Sequence, residues 1–307
     1  MPVDSERQSG NPTVPPATPP HRRSGLAECL RTRPEDRTKG MGLIGAAFGF
    51  GFIAGPAIGG ILAGADPYNA DFKSPALVAA GLSLLAFLMT AAFLKESIST
   101  TQRAKISSLS YSNPFNQLWQ SLCHPTLGKL LILIFLSTFV FAGLESTFAM
   151  WSRRSFGWGP EQNGYLFALV GLISAIIQGG LVGRLATIFG EKNLVLQGAI
   201  SLAVGVLLIP FANSLTILLV AMLIACYGFS VITPSLNALV SLETSDADQG
   251  KVLGVTRSVS TLARVVGPAW AGMLFSMLGQ DWPYFGGFMV MGIVIILTKL
   301  IYYPKKV

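Results

Sequence analysis

An uncharged stretch of 25 residues, Gly40 to Gly64, constrains the chain more than any other segment: GMGLIGAAFGFGFIAGPAIGGILAG. It is far longer than a buried strand needs to be. As a helix it would extend about 37 Å at 1.5 Å per residue, which is enough to cross a bilayer with some tilt. The stretch therefore predicts a membrane-spanning helix.

Glycines dominate this predicted helix and indicate how it packs. Glycine weakens a helix in water, but in lipid it lets two helix backbones approach closely. Gly51, Gly55 and Gly59 follow one another at four-residue spacing and share one face. Pro56 has no amide hydrogen, so we expect a missing hydrogen bond and a kink. The pattern predicts close helix packing through this glycine face.

The same pattern returns in residues 250–279, GKVLGVTRSVSTLARVVGPAWAGMLFSMLG. With a constant offset of 212 residues, Gly42, Gly55, Pro56 and Gly60 match Gly254, Gly267, Pro268 and Gly272. Five further apolar spans lie between the two segments, so the repeat unit would contain six helices. Internal repeats of this kind are typical of secondary transporters.

GFIAGPAIGG, residues 51–60, resembles the Gly-Pro antiporter motif in the fifth helix of one branch of the major facilitator superfamily. That branch contains the drug:proton antiporters of the tetracycline and multidrug efflux type, and Thr38 to about Val307 is similar to its last eight helices. The resemblance implies an all-α, major-facilitator-like membrane bundle of about eight transmembrane helices. It also implies twelve helices in a complete member, with four expected ahead of Met1. Its motif residues here are Gly51, Gly55, Pro56, Gly59, Gly60, Gly267, Pro268 and Gly272.

Composition agrees with a membrane protein and disfavours other classes. The chain is 51% hydrophobic and 12% charged, with a mean hydropathy of +0.56. Its basic residues form no dense patch with interleaved aromatics, so we predict no nucleic-acid partner. The spacing of Cys29, Cys123 and Cys226 fits no metal or redox motif. Together with the absence of a catalytic constellation, this predicts no enzyme activity, no metal and no cofactor.

Four segments are expected from the distribution of apolar runs. Residues 1–39 are polar and proline-rich and are predicted to be a disordered tail. Residues 40–96 would form the last two helices of an N-terminal bundle, 97–127 a cytoplasmic linker and 128–307 a six-helix C-terminal bundle. The linker also fits a short amphipathic surface helix. The predicted spans are 41–64, 75–94, 129–150, 164–188, 193–212, 215–238, 251–278 and 284–303.

Charge between the spans predicts the orientation. Three basic residues, Lys73, Arg153 and Arg154, fall on one side. Thirteen fall on the other: Arg31, Arg33, Arg37, Lys39, Lys95, Arg103, Lys105, Lys129, Arg184, Lys192, Lys251, Lys305 and Lys306. By the positive-inside rule both termini are cytoplasmic, in a multi-pass protein of the plasma (inner) membrane.

Ionisable groups within the spans are the candidate pathway residues, because charge in lipid is costly. Glu145, toward the outer end of the third span, would bind and release a proton if partial burial raised its pKa. The alternatives are a structural ion pair with Arg153 or Arg154, or simple exposure at the interface.

Two arginines lie seven residues apart in the seventh span. Arg257 and Arg264 share a face with Gly254, Thr261 and Pro268, and this face must meet the bundle or a wet cavity. Arg257 is close enough to the cytoplasmic end to snorkel. Arg264 lies deeper and is the better pathway candidate, or else pairs with a helix end or with a carboxylate of the missing half.

Polar groups of the fourth span complete the candidate set. Gln178 is a pathway candidate or an interhelical hydrogen-bonding group. GGLVGRLATIFGEKN, Gly179 to Asn193, resembles a degenerate second copy of the family's cytoplasmic gating signature, G-x-x-x-D-R-x-G-R-R. The acidic position is Gly183 here. Gly180, Arg184, Gly190 and Lys192 keep the small and basic positions, and positive charge that holds the loop inside explains them equally well.

We therefore predict a secondary active transporter of the lipid bilayer, with a small drug-like or metabolite substrate and protons as partners. Efflux coupled to the proton gradient is the leading hypothesis, although transport by this chain alone is doubtful because the substrate path needs both bundles. A non-transporting membrane fragment that binds other helices is the alternative. The sequence does not determine an oligomeric state.

Overall fold

The computed structural model describes residues 34–93, 121, 123–244 and 249–302. The chain divides into Met1–Gly42 and Leu43–Val307, and every contact discussed below lies within the second unit. Most of the predicted tail (1–39) and of the predicted linker (97–127) therefore lies outside the described residues.

Long helices account for almost all of the described chain, in which no strand occurs. The fourth helix contains a π-helical segment, Ile177–Leu181, and the fifth ends in a 3-10 turn, Ile209–Phe211. The eight long helices of the described part are α1 Pro34–Ala63, α2 Lys73–Phe93, α3 Leu127–Phe156, α4 Pro160–Phe189, α5 Glu191–Phe211, α6 Leu215–Leu242, α7 Gln249–Met277 and α8 Trp282–Tyr302. They correspond one to one with the predicted spans and confirm the all-α class.

Hydropathy separates α7 from the other long helices. Within the described residues, α2, α3, α4, α5, α6 and α8 are both long and apolar enough to cross a bilayer. In α1 the same measure covers Gly49–Ala63, the continuously described part of that helix, whereas the uncharged run in the sequence begins at Gly40. Helix α7 contains Arg257 and Arg264 among several hydroxyl residues, and these polar groups lower its hydropathy.

The core lies among α3, α5, α6, α7 and α8. Trp151, Tyr284 and Phe148 are its largest fully buried side chains. Helices α5 and α6 pack along each other most extensively because glycines face the opposite backbone. A Cβ atom at Gly198 would lie 2.8 Å from the carbonyl oxygen of Gly228. Small residues therefore set the spacing of this pair, as is common in membranes.

Helix α1 packs against α4 through a different face from the predicted one. A Cβ atom at Gly60 would lie 2.9 Å from the Cα atom of Gly164, and one at Gly171 would lie 2.6 Å from the carbonyl oxygen of Phe52. The three predicted glycines, Gly51, Gly55 and Gly59, have no described atom within 4 Å of the place that a Cβ atom would take. Residues 52, 56 and 60 also follow four-residue spacing, so the sequence offered two adjacent faces, and the contact uses the second.

Helix α2 makes no burying contact within the described chain. None of its side chains is buried, and Leu77, Phe87 and Phe93 are each exposed by more than two thirds. Its surface is apolar all round, as expected for a helix whose surroundings are hydrocarbon.

Asp71 holds the first turn of α2. Its carboxylate accepts hydrogen bonds from the backbone N–H groups of Lys73 and Ser74 and from the Ser74 hydroxyl. The Ser74 hydroxyl, followed by the Lys73 N–H, lowers the pKa of this exposed carboxyl group. The arrangement is that of a helix N-cap.

We expect Asp71→Ala to fray the first turn of α2 and to accelerate amide exchange at Lys73 and Ser74, because both N–H groups lose their acceptor. Since the pKa is lowered, the stabilisation is present above the unfolded-state pKa and is lost as the pH falls through the folded-state pKa. Hydrogen exchange measured across pH checks this. Asp71→Ser, which preserves an acceptor, should keep the protection, and equal exchange in all three proteins would contradict the cap.

Candidate functional site

Helices α3 and α7 approach closely and bring two of the predicted pathway residues together. A Cβ atom at Gly267 would lie 2.5 Å from the carbonyl oxygen of Phe139, and one at Gly143 would lie 3.1 Å from the Cβ atom of Ala271. The absence of side chains at these glycines permits the approach. Polar groups on the adjoining faces of the two helices are thereby placed within reach of each other.

Glu145 of α3 and Arg264 of α7 form an ion pair across this contact. The Arg264 Nη1 atom lies 3.7 Å from the Glu145 Oε2 atom, and the side chains of Arg264 and Glu145 are 45% and 42% exposed. Both charges therefore lie at the surface of the described bundle and remain accessible from outside it. The carboxylate that pairs with Arg264 thus belongs to this chain.

Of the alternatives considered for Glu145, the ion pair with Arg153 or Arg154 is wrong. Arg153 lies over the ring of Tyr68 and Arg154 over the ring of Phe275, each 4.6 Å from the ring centroid. Both arginines are in the last turn of α3, about 12 Å along the helix axis from Glu145. Cation–π contacts occupy them there instead.

Arg257 is exposed, and it also lines a small cavity between α3, α6 and α7. The cavity has a volume of about 40 Å³. Its polar lining residues are Ser137, Thr138, Thr233, Asn237, Thr256, Arg257 and Ser260. Of these, only Arg257 was predicted from the sequence. Four of the other six could have been found from polar pairs at four-residue spacing, Thr233 with Asn237 and Thr256 with Ser260.

Gln178 belongs to a short hydrogen-bonded chain between α4 and α6. Its Nε2 donates to the Ser174 Oγ at 2.9 Å, and the Ser174 and Ser230 hydroxyls lie 2.6 Å apart. The predicted interhelical hydrogen bonding is therefore present, with Ser174 as the intermediate group. Gln178 also lies inside the π-helical segment, a local widening that is frequent at functional sites.

The predicted gating residues surround the turn between α4 and α5. Gly190 alone separates the two helices, and its φ of 76° requires a residue that tolerates the left-handed region. Gly180 lies in the π-helical segment, and Arg184 and Lys192 are exposed. A tight turn with flanking positive charge is thus present, although Arg184 and Lys192 lie apart from the Glu145–Arg264 pair.

Comparison with known proteins agrees with this architecture. The chain is 29% identical to "Multidrug resistance protein 2" of Bacillus subtilis over 84% of its length, and 27% identical to the class B tetracycline resistance protein of Escherichia coli over 87%. It spans 64% and 65% of those relatives' own lengths.

A solved structure, that of the human organic anion transporter MFSD10, superimposes with a TM-score of 0.64 at 28% identity. The alignment covers 87% of this chain and 65% of that one. The family model for the Major Facilitator Superfamily matches residues 30–181 and 179–307. With its long apolar helices, the chain is a multi-pass membrane protein that belongs to the Major Facilitator Superfamily.

Proposed function

We propose that this chain acts in proton-coupled efflux of a small drug-like or metabolite substrate across the plasma membrane, with both termini in the cytoplasm. The observation that carries the proposal is the Glu145–Arg264 ion pair, which joins two helices within an apolar bundle. Charge in lipid is costly, so a carboxylate within a membrane helix is a candidate proton-binding group. When such a carboxylate has a basic partner, its protonation also releases that partner.

Protonation of Glu145 would couple the proton to a change in helix contacts. As a carboxylate, Glu145 neutralises Arg264 at 3.7 Å and holds α3 to α7 at this level. After protonation the attraction is lost, and the Arg264 guanidinium is left without its counter-charge in a low-dielectric setting. A conformation that gives Arg264 another partner or more water is then favoured. A proton thereby shifts the population between two states, which is the requirement for coupled transport.

The named relatives support efflux as the direction of transport and leave a range of substrates. Two bear the names multidrug resistance and tetracycline resistance, and the solved neighbour is titled an organic anion transporter. The chain spans about two thirds of the lengths of these proteins, so its own activity has to be measured.

We expect Glu145→Gln to lower proton-driven flux at least tenfold while substrate exchange without a gradient continues. Glutamine keeps the side-chain shape but cannot bind and release a proton at neutral pH. Proteoliposomes of the 307-residue chain, loaded with a pH-sensitive dye, would be challenged with tetracycline, ethidium and an organic anion under an imposed pH gradient. Glu243→Gln, at the exposed end of α6, is the matched control and should behave as the wild type.

Arg264→Gln provides the complementary measurement. It removes the charge that Glu145 contacts and should uncouple flux from the pH gradient, because the ion pair between α3 and α7 is then absent whether or not Glu145 carries a proton. Proton-coupled flux that is unchanged in Glu145→Gln would refute the coupling role. A wild-type chain with no flux of any tested compound would refute transport by this chain.

A further inference from the structure

The cavity beside Arg257 lies away from the Glu145–Arg264 pair and plays no part in the proposed coupling. It is formed by the beginning of α3, the end of α6 and the beginning of α7, at the end of the bundle predicted to be cytoplasmic. Along α7, Arg257 precedes Arg264 by about two helical turns, or roughly 10 Å. A group bound at Arg257 would thus be clear of the ion pair.

Several hydrogen-bond donors at this cavity have no partner in the described structure. Ser137 is 2% exposed, and its hydroxyl is buried without a hydrogen bond. Among the described residues, the Asn237 amide and the Arg257 guanidinium are also unpaired. A buried hydroxyl without a partner costs about 1–3 kcal/mol, so its retention calls for an explanation.

Three of the four other hydroxyl groups in the lining are already engaged as donors. Thr233, Thr256 and Ser260 each donate to a carbonyl oxygen of their own helix, at 3.1, 2.9 and 3.0 Å. The donors that remain free among the described lining residues belong to Ser137, Thr138, Asn237 and Arg257. None of the described lining residues is acidic, so the cavity carries one uncompensated positive charge.

We propose that this cavity binds the carboxylate of a small organic anion. The planar guanidinium group of Arg257 presents two parallel N–H groups, which match the two oxygens of a carboxylate. Ser137 and Asn237 supply further donors. A volume of about 40 Å³ admits a carboxylate-sized group. Ile232 and Leu236 at its wall offer an apolar surface to the remainder of the molecule. The inference rests on the proposed transport function and narrows its substrate class.

Binding can be measured without any transport. We would follow trifluoroacetate by fluorine NMR line broadening with the full 307-residue chain in neutral detergent at constant ionic strength, and displace it with benzoate. The structure predicts saturable broadening that Arg257→Gln abolishes. Ser137→Ala should weaken binding about tenfold, the loss of one hydrogen bond to a charged group. Arg257→Lys keeps the positive charge but loses the two parallel N–H groups, so its affinity for trifluoroacetate should lie between those of the wild type and Arg257→Gln.

Two substitutions distant from the cavity serve as matched controls. Arg154→Gln removes an arginine that stacks on Phe275, and Ser276→Ala removes a hydroxyl that donates to its own helix, so both should bind trifluoroacetate as the wild type does. Wild-type binding in Arg257→Gln would overturn the proposal. Displacement by phosphatidylglycerol but not by benzoate would assign the cavity to a lipid headgroup and would equally overturn it.

The two proposals fail independently. Trifluoroacetate binding requires neither a pH gradient nor Glu145, so its loss leaves proton coupling untouched. Conversely, if the wild type is uncoupled or inactive in proteoliposomes, the measured binding of trifluoroacetate still supports the carboxylate site.

Discussion

Gly228→Val is expected to destabilise the folded bundle by about 3 kcal/mol or more, and to lower its recovery in detergent. Gly228 lies where α6 meets α5, and a Cβ atom there would overlap the backbone nitrogen of Leu202 and lie 2.6 Å from the carbonyl oxygen of Gly198. Both are backbone atoms, so no rotamer change relieves the overlap and the two helices must separate. Thermal unfolding monitored by size-exclusion chromatography would measure the loss.

The matched control is the same substitution at an open glycine. Gly292 in α8 has no described atom within 4 Å of an added Cβ, so Gly292→Val tests the effect of a β-branched side chain without the overlap. The midpoint of thermal unfolding of Gly292→Val should stay close to that of the wild type. Equal midpoints for the two variants would show that α5 and α6 are not held at the observed spacing.

Trp151→Ala is expected to lower the free energy of unfolding by about 3–5 kcal/mol, the range for deleting a large buried aromatic side chain. Trp151 is 1% exposed, and its ring centroid lies within 6.0 Å of those of Phe148 and Tyr284. Its indole N–H also donates to the Asp281 Oδ1 at 2.8 Å and so ties the end of α3 to the turn before α8. The substitution removes both the packing and this hydrogen bond.

Two further variants separate these contributions. Trp151→Phe keeps most of the packing and loses only the hydrogen bond to a carboxylate, so a cost of about 1.5–3 kcal/mol is expected. Trp282→Ala removes a tryptophan that is 45% exposed and should have a small effect. Chemical unfolding in mixed micelles gives all three values. A Trp151→Ala cost no larger than that of Trp282→Ala would contradict the buried position.

The family assignment and the helix positions were accessible from the sequence because they depend on local pattern. An apolar run long enough to cross hydrocarbon must satisfy its backbone hydrogen bonds internally, so it becomes a helix wherever it packs. Pro56 and Pro268 lie inside long helices, as the repeat predicted. The motif around Pro56 identified the family that the comparisons show.

Contacts between helices were not accessible in the same way. Glu145 was correctly placed on α3 and Arg264 on α7, yet the only partners that the sequence suggested for the carboxylate were arginines on its own helix. For α1 the glycines at 51, 55 and 59 and the positions 52, 56 and 60 form adjacent faces about 100° apart. Both have the spacing for close packing, so their periodicity cannot select one.

By itself, the sequence determined a set of membrane-length helices, two of which contain an internal proline, and the family. Only the tertiary structure decided that Glu145 meets Arg264, that Gly60 meets Gly164, and that Ser137 and Asn237 join Arg257 around one cavity. The physical reason is that helical periodicity fixes the direction of a side chain about its own axis. Which helix lies opposite depends on the packing of all the helices together.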